Sequence, residues 1–432
     1  MVSTFDTEKK PGFKIRHFRW WIAILLALAT AVNYLDRQSL PIVISELRKV
    51  IPVNDAQYGL INSLFLLAYG TMYAVGGRII DVLGTRRGYA VMIIWWSLAN
   101  VMHGFVASVV GLGVARFLLG IGEGGGFPGS AKAVSEWFPK KERSFAFGIF
   151  NTGSSLGAVV APPLIAGIVG WQDWRWAFFV TGALGLIWVI AWLRIYTVPS
   201  KNKYVTSDEK IYIEREQAAD GSSAPIKLPW LSLFRFKNVW ALLLVKFLTD
   251  SGWFFFIFWL PKYLSDVRGL QIKEIGSYAI IPYAAAGVGS FLAGWISSYM
   301  LKRNFSIDAA RKIPMGFAAA LLPASLLITG SSLSMCLVFF SLAMFGHQFW
   351  STLVQTLATD IFPSKVVGSV AGLMGAIGTY GAMLFSLIVG YLIQNSGYGP
   401  AFIIAGILHP VSFILLLLMV KKIKMQQIDQ KS

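Results

Sequence analysis

Cysteine and histidine are both scarce in this 432-residue sequence. The single cysteine, Cys336, excludes an intramolecular disulfide and a cluster of thiolate metal ligands. The four histidines, His17, His103, His347 and His409, are dispersed along the chain, so we expect no metal site. The sequence also lacks the ATP-binding pattern G-x-x-x-x-G-K-[ST] and the zinc pattern H-E-x-x-H. These absences argue against an ATP-driven protein and against an enzyme, and we expect no cofactor.

Charged residues are few as well, at 14% of the chain, whereas 56% of the residues are hydrophobic and the mean hydropathy is +0.62. One soluble core cannot bury so much apolar surface, so a lipid bilayer is the expected solvent. A helix needs roughly 20 apolar residues to cross the bilayer. Twelve such runs occur, near residues 20–42, 57–80, 88–108, 110–132, 144–168, 176–196, 238–262, 276–300, 313–330, 334–357, 366–394 and 399–420. We predict an all-α membrane protein with twelve transmembrane helices.

Positive charge exceeds negative charge, with 38 Lys and Arg against 21 Asp and Glu and a net charge of +17. Most of these cations lie in the two termini and in the alternate loops that share their side of the membrane. By the positive-inside rule, both termini are predicted to be cytoplasmic, in the cell inner membrane. The basic residues form no single patch, so nucleic acid is not an expected partner. The first apolar run continues into polar residues without a cleavage site, and we interpret it as a retained helix.

The longest hydrophilic stretch divides the predicted helices six and six. We predict an N-terminal half at 1–196, a cytoplasmic linker at 197–237 with a GSSAP centre, and a C-terminal half at 238–432. The halves repeat at an offset of 224 residues, at which EWFPK is echoed by DIFPSK and Gly157 is matched by Gly381. Duplicated helical halves around a central site are typical of a secondary transporter.

A motif at the predicted cytoplasmic end of span 2 carries a family resemblance. The run GRIIDVLGTRR at 77–87 resembles the loop 2–3 signature of the major facilitator superfamily. The resemblance implies two six-helix halves that alternate access to a central site, and we expect a functional monomer. It also implies that Asp81, Arg86 and Arg87 form a conformational latch.

Other segments resemble one branch of that superfamily. NYLDRQSL in span 1, Arg116 and Glu123 in span 4, and the EWFPKKER that follows resemble the anion:cation symporter family. That family carries sugar acids and other organic anions together with protons. The segments KFLTD at 246–250 and GHQ at 346–348 are similar to its bacterial hexuronate transporters.

Glu123 stands alone in the apolar run GIGEGGGFP at 120–128, about 13 residues into span 4 and so near the bilayer midplane. Ionisable groups at that depth are costly and are therefore candidates for function. We predict that Glu123 carries the coupling proton and that Asp36 of span 1 is a second proton-coupling residue. The alternative for each acid is a structural ion pair with Arg116.

Three cations, Arg37, Arg116 and Lys246, are predicted inside spans and are candidates for substrate binding. If protons neutralise the acids while these cations stay charged, the cavity becomes positive and suits an anion. A guanidinium can then bind a carboxylate at two points. Lys246 also stands four residues before Asp250, a spacing that is typical of a satisfied helical pair.

Several polar and aromatic side chains are candidates for binding hydroxyl groups or stacking on a sugar ring. His347 is matched to Glu123 by the 224-residue offset, although a lone histidine in an apolar segment is often only hydrogen-bonded in the core. The other candidates are Tyr69, Asn151, Trp253 and Gln348.

These expectations combine into a proton-coupled symporter that imports an organic anion, with a hexuronate such as glucuronate or galacturonate as the favoured substrate. A symporter of an aldonate or aldarate, such as galactonate or glucarate, is the alternative. A proton-driven efflux antiporter is a further alternative, because Gly153, Gly157 and the following Pro162 partly resemble the antiporter signature. A channel is disfavoured, since the sequence has no repeated charged ring or filter segment.

Overall fold

The computed structural model describes residues 14–220 and 230–426, and across these residues every regular element is a helix. One isolated bridge pairs Ile15 with Val205. Short 3₁₀ segments lie at Pro199–Lys201 and Leu322–Leu327. The all-α prediction is confirmed. The α-helices are α1 (Phe18–Leu47), α2 (Asp55–Leu83), α3 (Thr85–His103), α4 (Val109–Gly124), α5 (Gly126–Trp137), α6 (Lys140–Trp171), α7 (Arg175–Ile195), α8 (Ser207–Asp220), α9 (Trp230–Leu233), α10 (Lys237–Asp266), α11 (Ile272–Tyr278), α12 (Ile280–Lys302), α13 (Ile307–Leu321), α14 (Leu333–Ile361), α15 (Ser364–Ser396) and α16 (Tyr398–Met419).

Ten helical segments in the described part of the chain are long and apolar enough to cross a membrane. Two of them are composite, since α4 continues into α5 and α11 into α12. The other two predicted spans, at 88–108 and 313–330, coincide with α3 and with α13, which a 3₁₀ segment extends. Side-chain caps fix some boundaries, because Asn54 and Ser108 accept hydrogen bonds from the first turns of α2 and α4.

The helix that carries Glu123 breaks immediately after it. α4 ends at Gly124 and α5 begins at Gly126. Pro128 has no backbone N–H, so the carbonyl of Gly124 cannot receive the helical bond that another residue would donate. The break therefore follows from the sequence GEGGGFP, and it places Glu123 in the last turn of a helix.

Close helix contacts recur at equivalent positions of two groups of helices, α1–α7 and α10–α16. A Cβ on Gly157 of α6 would lie 2.4 Å from Ala31 O of α1, and a Cβ on Gly381 of α15 would lie 2.1 Å from Phe247 O of α10. Only glycine allows backbones to approach so closely. The 224-residue repeat thus has a counterpart in packing. The boundaries of the halves stay a prediction, and the GSSAP centre of the linker lies outside the described residues.

We define the near end of the bundle as the end where α1 begins, and the far end as the end where α1 ends. At the far end, an ion cluster joins the two groups of helices. The buried ammonium of Lys262 in α10 lies 2.6 Å from Asp55 Oδ1 of α2 and also pairs with Asp266. Arg48 lies 2.6 Å from Asp55 and 3.6 Å from Asp266. Two cations share two carboxylates, which offsets the cost of burying Lys262.

Neutral contacts add to this closure at the far end. Tyr58 Oη of α2 donates a hydrogen bond to Phe258 O of α10 at 2.7 Å. Ser63 Oγ, also in α2, lies 2.9 Å from Met383 O of α15. The two groups of helices are therefore bound to each other at the far end by both charge and hydrogen bonds.

We expect Lys262→Gln to loosen the far end, because Asp55 and Asp266 then lose the cation they share. The measurement is the labelling rate of Ser63→Cys by a membrane-impermeant maleimide, in a background in which Cys336 is replaced by alanine. Labelling should rise about tenfold, which corresponds to about 1.4 kcal/mol. The matched control is Lys273→Gln, which removes an exposed lysine of α11. Equal labelling rates in the two variants would show that the cluster does not hold the far end closed.

Candidate substrate and proton site

A buried ion pair between α1 and α4 lies at the centre of the candidate site. Arg37 donates to Glu123 Oε2 from Nε at 2.9 Å, and its Nη2 lies 2.8 Å from the same oxygen. The two side chains are 2% and 0% exposed. Arg37 Nη2 also donates to Asn33 Oδ1 at 3.1 Å, one turn earlier on α1. The alternative pairing of Glu123 with Arg116 is wrong, because Arg37 is the residue that binds the carboxylate.

Aromatic rings surround the guanidinium of Arg37. Its Cζ lies 4.8 Å from the ring centroid of Tyr34 and 4.7 Å from that of Tyr69. Phe65 and, from α10, Phe254 lie at 5.6 and 5.9 Å. Cation–π contacts of this kind stabilise a cation away from water, and they are stronger when the site is desolvated. The predicted residue Tyr69 thus belongs to the wall around Arg37.

Arg116 and Asp36 are both fully buried near this pair. Arg116 Nη2 donates to the backbone carbonyl of Arg37 at 3.0 Å, and its Nε and Nη1 have no partner among the described residues. Asp36 Oδ1 accepts from Asn100 Nδ2 at 2.7 Å, and Asn100 also contacts Thr181 at 2.7 Å. No direct ion pair joins Asp36 to Arg116 in the described part of the chain, so the alternative pairing for Asp36 is not formed.

A second charge pair lies on α10, in the other group of helices. Lys246 Nζ lies 2.6 Å from Asp250 Oδ1, one turn further along the helix. The side chains are 10% and 12% exposed. A Cβ on Gly378 of α15 would lie 2.2 Å from Asp250 Oδ2, so the absence of a side chain there makes room for the carboxylate. The four-residue spacing read from the sequence does produce a satisfied pair.

His347 does not stand alone. Its Nδ1 lies 3.0 Å from Nε2 of His409 on α16, and both residues are buried, at 2% and 0% exposure. Trp253 of α10 stacks on the His347 ring with centroids 5.0 Å apart and an angle of 11°. Two histidines that are 62 residues apart in the sequence are thus in contact in the fold. No group of three or more metal-ligating side chains occurs in the part of the chain that is described.

The remaining predicted binding residues are more exposed. Asn151 lies exposed on α6, and Gln348 is half-buried on α14 beside His347 in sequence. Successive helical residues point about 100° apart, so Gln348 and His347 face different sides. Among the described residues, neither side chain makes a polar contact with the Arg37 and Glu123 pair, and their role stays a prediction.

The predicted latch residues all lie at the near end, away from the buried pairs. Asp81 Oδ1 lies 2.8 Å from Lys132 Nζ of α5. Arg86 donates to the backbone carbonyl of Leu193 on α7. Arg87 is exposed beside it. In this conformation the contacts of Asp81 and Arg86 stay within α1–α7, and their role as a latch between conformations stays a prediction.

Five residues that contact the site are not found when the sequence is searched for charged residues alone. Asn33 could have been found, because it stands four residues before Arg37 and so on the same face of α1. Tyr34, Asn100, Phe254 and His409 carry no such signal. They reach the site from neighbouring positions or from other helices, and only the packing of those helices brings them together.

An all-helical membrane bundle with an internal repeat and paired buried charges in its helices is typical of a secondary transporter. The chain belongs to the Major Facilitator Superfamily, whose sequence profile matches residues 26–307. The members compared below are transporters. This confirms the resemblance found in the loop 2–3 motif.

Two relatives and one solved structure extend the comparison. The chain is 34% identical over 400 residues to the hexuronate transporter of Escherichia coli (strain K12), covering 91% of this chain and 92% of that protein. It is 29% identical over 432 residues to the D-galactonate transporter of Escherichia coli O6:H1, covering 96% and 98%. A crystal structure of a D-xylose-proton symporter has a TM-score of 0.75 at 15% identity, covering 95% and 100%, and this likeness concerns the fold alone.

The pairing of Arg37 with Glu123 can be tested by stability. Arg37→Met leaves a buried carboxylate without its partner, which costs about 3–5 kcal/mol of the free energy of unfolding. Adding Glu123→Leu removes the orphaned charge, so the double variant should regain most of the thermal stability in detergent.

The matched control combines Arg116→Met with Glu123→Leu. Because Arg116 does not bind Glu123, this double variant should show no recovery over Arg116→Met. Recovery in the control, or none in the Arg37 and Glu123 double variant, would assign Glu123 to the other arginine.

Proposed function

We propose that this protein is a proton-coupled symporter that imports a monocarboxylated sugar acid, with a hexuronate as the favoured substrate. The proposal includes a bacterial inner-membrane location, cytoplasmic termini and a functional monomer. The observation that carries it is the buried pair of Arg37 and Glu123, in which a cation suited to a carboxylate is held by an acid that can take a proton. The relatives with sugar-acid substrates in their names support the choice of substrate class.

Charge balance supplies the coupling. With Glu123 ionised, the site is neutral and Arg37 is occupied. When Glu123 takes a proton, the guanidinium of Arg37 becomes an unmatched buried cation. A substrate carboxylate can then supply the negative charge that Glu123 has lost. A proton alone or an anion alone leaves one unmatched charge, so binding of each favours binding of the other.

Asp36 is proposed as a second proton-coupling residue. Its carboxylate is buried one residue from Arg37, and its contact is the neutral amide of Asn100, so it lacks a direct cation partner among the described residues. Arg116 donates a hydrogen bond to the backbone carbonyl of Arg37 and so stabilises the position of that residue. In this proposal Arg116 positions Arg37, and Arg37 contacts the substrate.

The C-terminal group of helices supplies the opposite wall. Phe254 faces the guanidinium of Arg37, and the preceding Trp253 stacks on His347. Together with Tyr69 these rings suit one face of a sugar, and polar groups at Lys246 and His347 suit its hydroxyl or carboxylate oxygens. Protonation of Glu123 releases one guanidinium, that of Arg37, which can bind one substrate carboxylate. This favours a monocarboxylate.

An aldonate such as galactonate is the second candidate, and the galactonate-transporting relative supports it. It differs from a hexuronate in being open-chain, and the same carboxylate contact serves both. The efflux antiporter has less support. Gly153 and Gly157, which suggested it, lie against the backbone of α1 at Ala27 and Ala31 and serve helix packing.

Coupling is tested with Glu123→Gln, which mimics the protonated acid. We expect substrate counterflow in proteoliposomes to persist, because Arg37 is free, while accumulation driven by a pH gradient is lost. The control is Glu274→Gln, which changes an exposed carboxylate of α11. Wild-type accumulation in the Glu123 variant would exclude it as the proton carrier.

Substrate class is tested by competition at one pH with glucuronate, galacturonate, galactonate, glucarate, glucose and lactate. We expect a hexuronate to compete best. Glucose lacks the carboxylate that Arg37 requires, and lactate leaves the hydroxyl-binding groups unpaired, so both should compete poorly. Preference for galactonate or glucarate would keep the symporter and change the sugar acid, whereas preference for glucose would reject an anion site.

A further inference from the structure

The pair of His347 and His409 has a chemistry that the transport proposal does not use. His409 lies on α16, is fully buried, and reaches His347 through a nitrogen-to-nitrogen contact of 3.0 Å. Such a contact is a hydrogen bond only if one ring donates and the other accepts. The pair therefore has two possible arrangements, which differ in which nitrogen of each ring carries the hydrogen.

The packing around the pair leaves little freedom to either ring. Trp253 covers one face of His347 in a nearly parallel stack. Trp350 packs against His409 with centroids 5.8 Å apart at 74°. A Cβ on Gly252 would lie 3.5 Å from His409 Cε1, an ordinary van der Waals distance, so the backbone of α10 also lies close to this imidazole. Ring orientation is thus fixed by neighbours on α10 and α14.

The outer nitrogen of His409 distinguishes the two arrangements. His409 Nδ1 is buried and has no hydrogen-bond partner among the described residues. If His347 were the donor, a neutral His409 would carry its hydrogen on Nδ1, as a buried N–H without an acceptor, which proteins rarely tolerate. If His409 donates from Nε2, its Nδ1 is a bare acceptor and no donor is stranded.

A second histidine of the same chain shows what a protonated Nδ1 does. His103 Nδ1 lies 2.8 Å from the carbonyl of Ala99, four residues back, and a carbonyl only accepts, so this nitrogen must carry hydrogen. The corresponding carbonyl for His409 belongs to Ala405, and no such bond forms there.

We propose that His409 is a positioning residue that donates to His347 Nδ1 and so holds His347 as the tautomer with hydrogen on Nε2. Because Nδ1 is occupied, Nε2 is the one ring nitrogen of His347 that can serve a ligand. His347 is 2% exposed and stacks on Trp253, which lines the proposed sugar site. In this tautomer it presents a single N–H donor to that site. The assignment of its acceptor, an oxygen of the sugar acid, rests on the proposed function.

This arrangement makes His347 selective for oxygen at one position of the ligand. A donor that is fixed by a neighbour cannot switch to accept, so an analogue without that oxygen leaves the N–H unpaired. His409 thereby influences specificity without touching the substrate. A purely structural histidine in the same place would affect stability and leave the choice between analogues unchanged.

The tautomers can be measured directly in the full-length protein, by ¹⁵N NMR of ring-labelled histidine without ligand. Only four histidines are present, and His347→Gln and His409→Gln assign the pair, with His103 as the internal reference for a protonated Nδ1. We expect hydrogen on Nε2 of both paired rings. Hydrogen on His347 Nδ1 would overturn the proposal, whatever the substrate proves to be.

Binding provides the second measurement, with glucuronate and a panel of its monodeoxy analogues. His409→Leu removes the donor and should weaken glucuronate binding about tenfold, the size of one neutral hydrogen bond, while losing discrimination against one analogue. His409→Gln keeps a donor amide and should retain that discrimination. The control, His103→Leu, removes another buried histidine and should leave discrimination unchanged.

Three outcomes decide the proposal. Equal discrimination in wild type and His409→Leu would overturn the specificity role, and equal impairment of His409→Leu and His409→Gln would reduce His409 to packing. If wild-type protein binds no sugar acid at all, the transport proposal fails, and the NMR result still decides the tautomers.

Discussion

The buried pair of Arg37 and Glu123 is the interaction on which the rest of the site depends. A charge in an apolar bundle must be matched, and here the two charges match each other across α1 and α4. The surroundings hold the guanidinium independently of Glu123. Asn33 binds it from its own helix, and Arg116 fixes the backbone carbonyl of Arg37. Arg37 can therefore keep its place when its partner changes.

The helix break next to Glu123 is part of the same constraint. Because α4 ends at Gly124, Glu123 lies in its last turn, where the partial negative charge of the helix C-terminus favours a nearby cation such as Arg37. The glycines of α4 also allow this helix to pack closely against α2. A Cβ on Gly120 would lie 2.3 Å from Phe65 O, and one on Gly124 would lie 2.5 Å from Tyr69 O. This close approach brings the rings of Phe65 and Tyr69 to the guanidinium.

The sequence alone predicts the fold well, because a helix that crosses a bilayer needs a long apolar segment, and such segments can be recognised directly in the sequence. It also finds the charged residues of the site, since few charges occur inside spans. It finds the partner of Lys246, because Asp250 stands four residues further on the same helix, but it does not find the partners that come from other helices. The seven-residue spacing of Arg116 and Glu123 places them on one face, yet Glu123 binds Arg37 from another helix. His347 and His409 are 62 residues apart, and the cluster of Lys262 and Asp55 joins distant helices, so no periodicity reveals them.

The two groups of helices hold their buried charges in different ways. Arg37 and Glu123 lie on separate helices, whereas Lys246 and Asp250 lie four residues apart on α10. A pair within one helix survives any rigid-body motion, but a pair between helices changes when those helices shift. The far-end cluster is likewise built from different helices, with Lys262 of α10 bound to Asp55 of α2. The charge pairs that depend on the placement of two helices thus lie at the N-terminal site and at the boundary between the groups, whereas the pair of Lys246 and Asp250 depends on α10 alone.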